Sequence, residues 1–189
     1  MDQRFYDMIE SNPVIAAIKD MDGLEKCCKL EDIKVVFILF GDVCNIAEIV
    51  SKVKAAGQMA VVHVDLINGL NSKEITVDFI AKHTKADGII TTKPALIKRG
   101  KELSLMTVLR YFVIDSLALE TIKHQQHSVK PDVIEILPGL MPRIIRHICK
   151  TTRTPVIAGG LITDKESVVA ALDAGAISVS TTNQEVWRM

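Results

Sequence analysis

Short apolar segments recur at steady intervals along the chain, and longer segments with helical spacing separate them. Each apolar segment is at most nine residues long and rich in β-branched side chains, which is typical of parallel strands covered on both faces. Eight such segments are predicted as strands: 14–20, 35–41, 60–67, 88–93, 107–115, 133–139, 156–162 and 177–182.

The intervening segments place apolar residues three and four positions apart, as amphipathic helices do. Segment 45–56 is the clearest example, and Gly57 follows it as a stop signal. Segment 163–174 begins with Thr163 and Glu166 in the spacing of a capping box. Segment 94–103 is weaker and predicts only one or two helical turns.

Eight strands alternating with helices predict a compact α/β fold, a (β/α)8 TIM-type barrel, rather than a doubly wound sheet. The chain of 189 residues is short for this fold, which usually needs at least about 200. Only seven residues follow Thr182, so we expect a truncated last helix. No linker or low-complexity tract divides the sequence, which predicts one domain over residues 1–189.

Several polar side chains fall within the predicted strands. Alternate residues of a barrel strand face the interior, and active sites lie at the carboxyl ends of the strands. Strand parity predicts the following interior residues: Lys19, His63, Asp65, Thr91, Lys93, Arg110, Glu135, Ser178 and Ser180. Because buried charges are costly unless paired, these residues form either an ion-pair network that fills the barrel or a polar ligand pocket at its mouth. We favour the pocket.

Glycines and hydroxyl residues follow the last two strands, where barrels often bind phosphate. Gly159 and Gly160 would let backbone amides approach an anion, and Asn183 would cap a short helix whose start adds further donors. We call Gly159, Gly160, Thr181, Thr182 and Asn183 the predicted phosphate seat. The alternative is that the two glycines only allow a tight exit from the strand.

Charge composition excludes a generally polybasic nucleic-acid-binding protein. Lys plus Arg and Asp plus Glu both number 23, so the formal net charge is zero. Helical spacing nevertheless collects a local basic stripe, consisting of Arg143, Arg146, Lys150 and Arg153. Such a stripe either binds a phosphate backbone or is an ordinary solvated face. A shorter basic cluster lies at 98–101, and aromatic residues, at 4%, do not suggest a base-stacking platform.

Other signals for chemistry are sparse. The four cysteines show no C-x-x-C spacing, so we expect reduced thiols and no metal site. The N-terminal segment lacks the apolar region of a secretory signal, and no apolar run is long enough to span a bilayer, so we expect a cytoplasmic protein without membrane contact. No catalytic motif is present, although Lys19 or Lys93 would serve as a Schiff-base amine. The residues alone leave a phosphosugar enzyme and a phosphate-ligand sensor equally open.

Seven segments, in order along nearly the whole chain, carry a resemblance to a known family. They are 39–46 (LFGDVCNI), 63–70 (HVDLINGL), 91–101 (TTKPALIKRGK), 112–120 (FVIDSLALE), 135–142 (EILPGLMP), 156–163 (VIAGGLIT) and 180–187 (STTNQEVW). With these segments the chain resembles the glycerol-uptake operon antiterminator regulatory proteins. The resemblance implies a barrel that senses sn-glycerol 3-phosphate and acts on leader mRNA, so that transcription passes a terminator in a glycerol-metabolism operon.

The leading hypothesis is therefore a ligand-controlled RNA-binding regulator with no catalytic residues and no cofactor beyond its effector. We expect the phosphate at the predicted phosphate seat, the glycerol hydroxyls near Lys19, Asp65 and Glu135, with Lys93 beside them, and the RNA on the basic stripe. The alternatives are a barrel isomerase or lyase acting on a small phosphorylated polyol or sugar, and a barrel kept for assembly alone. The sequence leaves a homo-oligomer open.

Overall fold

Eight parallel strands close into a barrel in their sequence order, as the alternating pattern predicts. The computed structural model describes residues 3–189, without the side chains of Gln126 and His127. The strands are β1 (Val14–Ile18), β2 (Val35–Ile38), β3 (Met59–His63), β4 (Gly88–Thr91), β5 (Met106–Phe112), β6 (Val133–Leu137), β7 (Val156–Gly159) and β8 (Ser178–Thr181). All eight predicted strands are present, and β8 pairs with β1 to complete the barrel.

Helices connect the strands and cover the outside of the barrel. They are α1 (Gln3–Ser11), α2 (Met21–Cys27), α3 (Ile46–Ala55), α4 (Glu74–His83), α5 (Pro94–Glu102), α6 (Ser116–Ser128), α7 (Pro142–Thr151) and α8 (Lys165–Asp173). Helix α5 has nine residues and is longer than expected, because Pro94 begins it and the buried Leu96 and Ile97 anchor it. The last helix is truncated to a 3₁₀ turn at Val186–Arg188, as predicted.

Side-chain caps fix the starts of three helices near the carboxyl ends of the strands, and Asp20 provides the cap of α2 through the Gly23 amide at 2.7 Å. Asp164, rather than the predicted Thr163, caps α8, because its carboxylate accepts a hydrogen bond from the Ser167 amide at 2.8 Å. Asp115 caps α6 in the same way through the Ala118 amide at 2.9 Å. These caps set where each loop stops and its helix begins.

The barrel interior and the layer between strands and helices form two separate apolar clusters. The interior cluster contains Ile15, Phe37, Val61, Ile90 and Val108, and α1 adds Phe5 and Ile9 beside the first residues of several strands. Helix α1 therefore closes the barrel at the amino ends of its strands. The carboxyl ends remain as the accessible mouth.

None of the helices in the described part of the chain is long and apolar enough to cross a bilayer.

Candidate functional site

A cavity of about 340 Å³ opens at the carboxyl ends of β6, β7 and β8, and we call it the rim cavity. Its volume lies near the lower end of the roughly 300–1,000 Å³ typical of small-molecule pockets. The residues that line it are Ala17, Leu39, Arg110, Glu135, Leu137, Gly160, Leu161, Ile162, Thr163, Ser180, Thr181, Thr182 and Asn183. Apolar atoms form most of the exposed wall, and the polar groups come from the last two strand exits and from the floor.

Some residues on the wall of the rim cavity have backbone amides without hydrogen-bond partners in the described part of the chain. Within residues 3–189, no hydrogen bond is donated by the amides of Gly160, Leu161 or Thr182. Gly160 and Leu161 both have positive φ, at 75° and 64°. A leucine in the left-handed region is uncommon, and such strained backbone is often retained at binding sites. The exit of β7 thus combines free donors with an enforced backbone shape.

Gly159 has a different role from the one predicted for the phosphate seat. It faces the barrel interior and does not line the rim cavity, and a Cβ atom there would lie 2.6 Å from both Glu135 Oε1 and Ser180 Oγ. Its missing side chain is what allows those two groups to approach each other. Gly159 therefore shapes the floor beneath the cavity and is not part of the cavity wall.

Two other members of the predicted phosphate seat use their polar groups within the protein. The Thr181 hydroxyl donates to the Ile162 carbonyl at 2.6 Å and accepts from the Asn183 amide at 3.0 Å. The Asn183 side chain accepts from the Glu185 amide and donates to the Thr163 carbonyl. Asn183 does not cap a helix, because only turn residues follow it before the 3₁₀ turn. Both residues hold the two loops together, whereas the Thr182 hydroxyl has no hydrogen-bond partner among the residues that the structure describes.

The floor of the rim cavity is a buried ion pair. Arg110 Nε donates to Glu135 Oε2 at 2.5 Å, and the Ser180 hydroxyl donates to Glu135 Oε1. Glu135 is fully buried, whereas Arg110 remains 8% exposed. Both residues line the rim cavity, but each carboxylate oxygen of Glu135 already has a donor within the protein, and the Arg110 side chain is the partly exposed member of the pair. The contact of Glu135 with ligand hydroxyls stays a prediction.

His63 lies beside this floor, on the interior face that strand parity predicts. Only 3% of its surface is exposed, and its Nδ1 has no hydrogen-bond partner among the described residues. Burial, and next the nearby Arg110 charge, lower the pKa of His63 to about 4. The imidazole is therefore neutral at pH 7 and adds no charge to the interior.

The predicted interior positions of Asp65, Thr91 and Lys93 are wrong. Strand β3 ends at His63, and the chain turns into a 3₁₀ helix at Val64–Leu66, which moves Asp65 out of strand parity. On β4, Ile90 occupies the interior cluster, so the neighbouring Thr91 and Lys93 lie on the other parity. The segment GIITTK has two apolar residues followed by two threonines, so it lacks the alternation that would indicate which residues face the interior.

Asp65 anchors the loop after β4 instead of contacting the rim cavity. Its carboxylate accepts from the Thr92 amide at 2.7 Å, from the hydroxyls of Thr91 and Thr92, and from Lys93 Nζ at 3.3 Å. Burial raises the pKa of Asp65, but the Thr92 amide and the two hydroxyls outweigh it and hold the pKa below its ordinary value. Lys93 also donates to the Ser72 hydroxyl. We call Asp65, Ser72, Thr91, Thr92 and Lys93 the anchor cluster.

Lysine is absent from the wall of the rim cavity in the part of the chain that the structure describes. Lys19 follows β1 with interior parity but lies exposed at the mouth, and Lys93 belongs to the anchor cluster. The sequence-based Schiff-base alternative thus has no amine on the cavity wall.

The basic stripe is exposed and unneutralised. Arg143, Arg146 and Lys150 lie on the solvent face of α7, opposite the buried Ile145 and Ile148, and Arg153 is exposed just beyond. None of the four has an ion-pair partner within residues 3–189.

The shorter basic cluster at 98–101 differs in this respect. Arg99 pairs with Asp78 and Glu102 at 2.6 Å, and Lys101 lies 3.6 Å from Asp132. Acidic neighbours therefore cancel much of its charge, and α7 carries the more available positive surface.

Sequence reasoning missed Leu161 and Thr163, which line the rim cavity, and placed Arg110 only in the general set of interior polar residues, without a contact to phosphate or glycerol. The double glycine at 159–160 was the available signal for Leu161, because the residue after such a pair shares its strained turn. The importance of Arg110 depends on how Glu135 is sealed, which the sequence does not reveal.

Fold and site together define a TIM-type barrel with a small anion-compatible cavity at the exits of its last strands. The profile of the glycerol-3-phosphate responsive antiterminator family matches residues 14–187. The chain therefore belongs to that family, which confirms the resemblance seen in the sequence.

Individual relatives agree with this assignment. A protein of Escherichia coli K12 known as YgcP is 40% identical over 182 residues, which cover 96% of this chain and 95% of that protein. The crystal structure of a glycerol uptake operon antiterminator regulatory protein from Listeria monocytogenes superimposes with a TM-score of 0.90 at 33% identity, covering 94% of this chain and 95% of that one. The crystal structure of a glycerol uptake operon antiterminator-related protein from Thermotoga maritima superimposes with a TM-score of 0.82 at 34% identity. The match covers 93% of this chain and 98% of that one.

Barrel enzymes at 10–16% identity also superimpose, which shows the fold alone.

Proposed function

We propose that this protein binds glycerol 3-phosphate in the rim cavity and, in response, acts on the leader mRNA of glycerol-metabolism genes in the cytoplasm. The observation that carries the proposal is the set of unpartnered amides of Gly160, Leu161 and Thr182 on one cavity wall. Backbone amides and a free hydroxyl are the donors that phosphate oxygens accept from, and they need no lysine beside them.

The remaining cavity surface suits the rest of this ligand. Aliphatic side chains from Ala17, Leu39 and Leu137 would contact its short carbon chain, and the Arg110 guanidinium would donate to a hydroxyl oxygen at the floor. The exposed Lys19 at the mouth would add long-range attraction for the dianion.

Leu161 offers a connection between ligand binding and the outer surface. Leu161 lines the rim cavity and is at the same time 68% exposed. A ligand that binds only one loop conformation favours that conformation, and the exposed side chain carries the difference to the surface. Without such differential binding the ligand has no means of switching RNA affinity.

Isothermal titration calorimetry tests the ligand. We expect binding of glycerol 3-phosphate, much weaker binding of inorganic phosphate, and none of glycerol. The phosphate carries the charge that the amides bind, and the glycerol part adds contacts with the rest of the cavity. Absence of heat at millimolar glycerol 3-phosphate would contradict the proposal. Borohydride trapping of a phosphosugar adduct on any lysine would instead favour the enzyme alternative.

The basic stripe is the proposed RNA surface, because its four cations are exposed and unneutralised. Helix α7 begins near the carboxyl ends of the strands, so Arg143 in its first turn lies at the same end of the barrel as the cavity. Cationic side chains that contact phosphates release counterions, which makes RNA affinity depend on salt.

Filter binding to a leader transcript tests this surface at several salt concentrations, with and without glycerol 3-phosphate. Replacement of Arg143, Arg146 and Lys150 by glutamine should lower the slope of log affinity against log salt by about 2, since each contact to single-stranded RNA contributes about 0.7. The control replaces three exposed lysines elsewhere, Lys29, Lys82 and Lys98, and removes the same charge. Equal slopes for the two triple variants would exclude the stripe, and affinity indifferent to ligand would exclude the switch.

A further inference from the structure

The floor of the rim cavity combines one cation with one anion, and the two are not equivalent toward a ligand. Glu135 is 0% exposed, and each of its carboxylate oxygens already accepts from a protein donor, Arg110 or Ser180. Arg110 uses its Nε for this pair and keeps 8% exposure at the cavity. A ligand at the floor therefore meets guanidinium donors, with a sealed negative charge directly behind them.

The charges at the floor cancel within the protein. Arg110 and Glu135 are the charged side chains among the described residues that line the cavity. His63, next to them, is neutral at pH 7, because burial and the Arg110 charge lower its pKa to about 4. The donor groups of Arg110 are thus available to an acceptor atom, whereas its positive charge is already compensated.

We propose that the rim cavity selects phosphate monoesters with an uncharged, hydroxylated tail and rejects those with a carboxylate tail, and that Glu135 is the residue that determines this specificity. The proposal rests on the proposed function, since it takes the phosphate to lie at the amides of Gly160, Leu161 and Thr182. It adds which phosphorylated compounds the site admits.

The physical reason lies in desolvation and like-charge repulsion. A hydroxyl oxygen accepts from Arg110 without bringing a charge into the floor. A carboxylate must lose its water there while the buried Glu135 charge offsets the attraction of Arg110, and an uncompensated buried charge is strongly unfavourable. The sealed glutamate thus discriminates without touching the ligand, as repulsive elements do in other specific sites.

Calorimetric titration with two matched ligands tests the proposal. Racemic glycerol 3-phosphate and racemic 3-phosphoglycerate have the same carbon chain and differ in a hydroxymethyl group against a carboxylate. We expect the unaltered protein to prefer glycerol 3-phosphate by about 30-fold or more, the effect of roughly 2 kcal/mol of charge penalty. In Glu135→Gln the compensating anion is gone, so the preference should fall below about threefold or invert in favour of 3-phosphoglycerate.

The control is Glu166→Gln, which removes the same charge from an exposed position on α8 and should keep the original preference. Circular dichroism establishes that each variant is folded. If Glu135→Gln does not fold, the comparison of the two ligands on the unaltered protein still decides the proposed selectivity.

The outcomes separate the two proposals. Equal affinity of the unaltered protein for both ligands would overturn the inference and leave the proposed function intact. Binding of neither ligand would overturn the proposed function itself. A folded Glu135→Gln that retains the original preference would remove Glu135 from its specificity role.

Discussion

Two groups of polar residues lie at the same end of this barrel and differ in whether the protein itself satisfies their hydrogen bonds. On the β3–β4 side, the anchor cluster satisfies its own polar groups, with Asp65 accepting from an amide, two hydroxyls and an ammonium group. On the β6–β8 side, the rim cavity retains unpartnered amides at Gly160, Leu161 and Thr182. The first group stabilises a loop, whereas the second is available to a ligand.

The difference lies in how each strand ends. After β3 the chain turns into a 3₁₀ helix that brings a carboxylate against the amides of the next strand exit. After β7 the two successive residues Gly160 and Leu161 have positive φ, and among residues 3–189 no acceptor bonds to their amides. Polar residues at a barrel mouth therefore indicate a binding site only where the protein leaves their hydrogen bonds unmade.

The largest expected effect comes from the floor beneath the cavity. Arg110→Ala leaves Glu135 as an uncompensated buried charge and should lower the free energy of unfolding by about 3–5 kcal/mol. Urea denaturation measures this change. Arg99→Ala is the matched control, because its pair with Asp78 and Glu102 is more exposed and solvent screening should make its loss much less costly. Similar losses in the two variants would mean that burial does not distinguish the two sites.

The second prediction concerns His63, which lies between the two regions. Its pKa is lowered from 6.5 to about 4 in the folded protein, so the unfolded chain binds the proton first as pH falls. Stability should therefore decline from pH 6.5 to pH 4, with up to about 3 kcal/mol attributable to His63.

Urea denaturation over this pH window should show a shallower decline for His63→Leu than for the unaltered protein. His147→Leu, at an exposed position on α7, should follow the unaltered protein. Parallel curves for all three proteins would exclude a proton linkage at His63.

Asp65 provides the direct contrast between the two regions. Asp65→Ala leaves the Thr92 amide and two hydroxyls without their acceptor, so the free energy of unfolding should fall by about 1–3 kcal/mol. Affinity for glycerol 3-phosphate should stay within about twofold, because Asp65 does not line the rim cavity.

Thr182→Val should have the opposite pattern, with weaker ligand binding and nearly unchanged stability. Thr182 is exposed, so stability should hardly change, while loss of a hydrogen bond to a charged ligand should weaken binding by about 10-fold or more. Urea denaturation measures the stability of both variants, and calorimetry measures their affinity for glycerol 3-phosphate. A large affinity loss in Asp65→Ala would contradict the contrast between the two regions.

The last comparison separates the effect of backbone strain on stability from its effect on ligand binding. Gly160 and Gly57 have φ values of +75° and +78°, so alanine at either position should cost about 1–2 kcal/mol. Only Gly160 lies on the rim cavity, and an added Cβ there would lie 3.2 Å from Leu137. Calorimetry should find weaker ligand binding in Gly160→Ala and unchanged binding in Gly57→Ala. Equal affinities would exclude the β7 exit from the binding site.

The interior positions of His63, Arg110 and Glu135 were predictable, because apolar and polar residues alternate clearly along β3, β5 and β6. The position of Thr91 was not, since GIITTK has no alternation and its parity depends on the pairing of His63 with Ile90. Four members of the predicted phosphate seat, Gly160, Thr181, Thr182 and Asn183, line the rim cavity, and their contact with phosphate stays a prediction. Thr181 and Asn183 bond within the protein, because the two loops approach each other closely enough to do so.

The sequence by itself determined the barrel and the family, because periodicity and motif order are local properties that each segment carries independently of its neighbours. Only the tertiary structure decided which polar groups remain available at the mouth. Availability is a property of pairs, since a donor is free or satisfied according to what residues distant in the chain bring within about 3 Å of it. That is why Asp65 and Glu135, both predicted as ligand contacts, are internal partners, whereas the unremarked amide of Leu161 lies on the wall of the cavity.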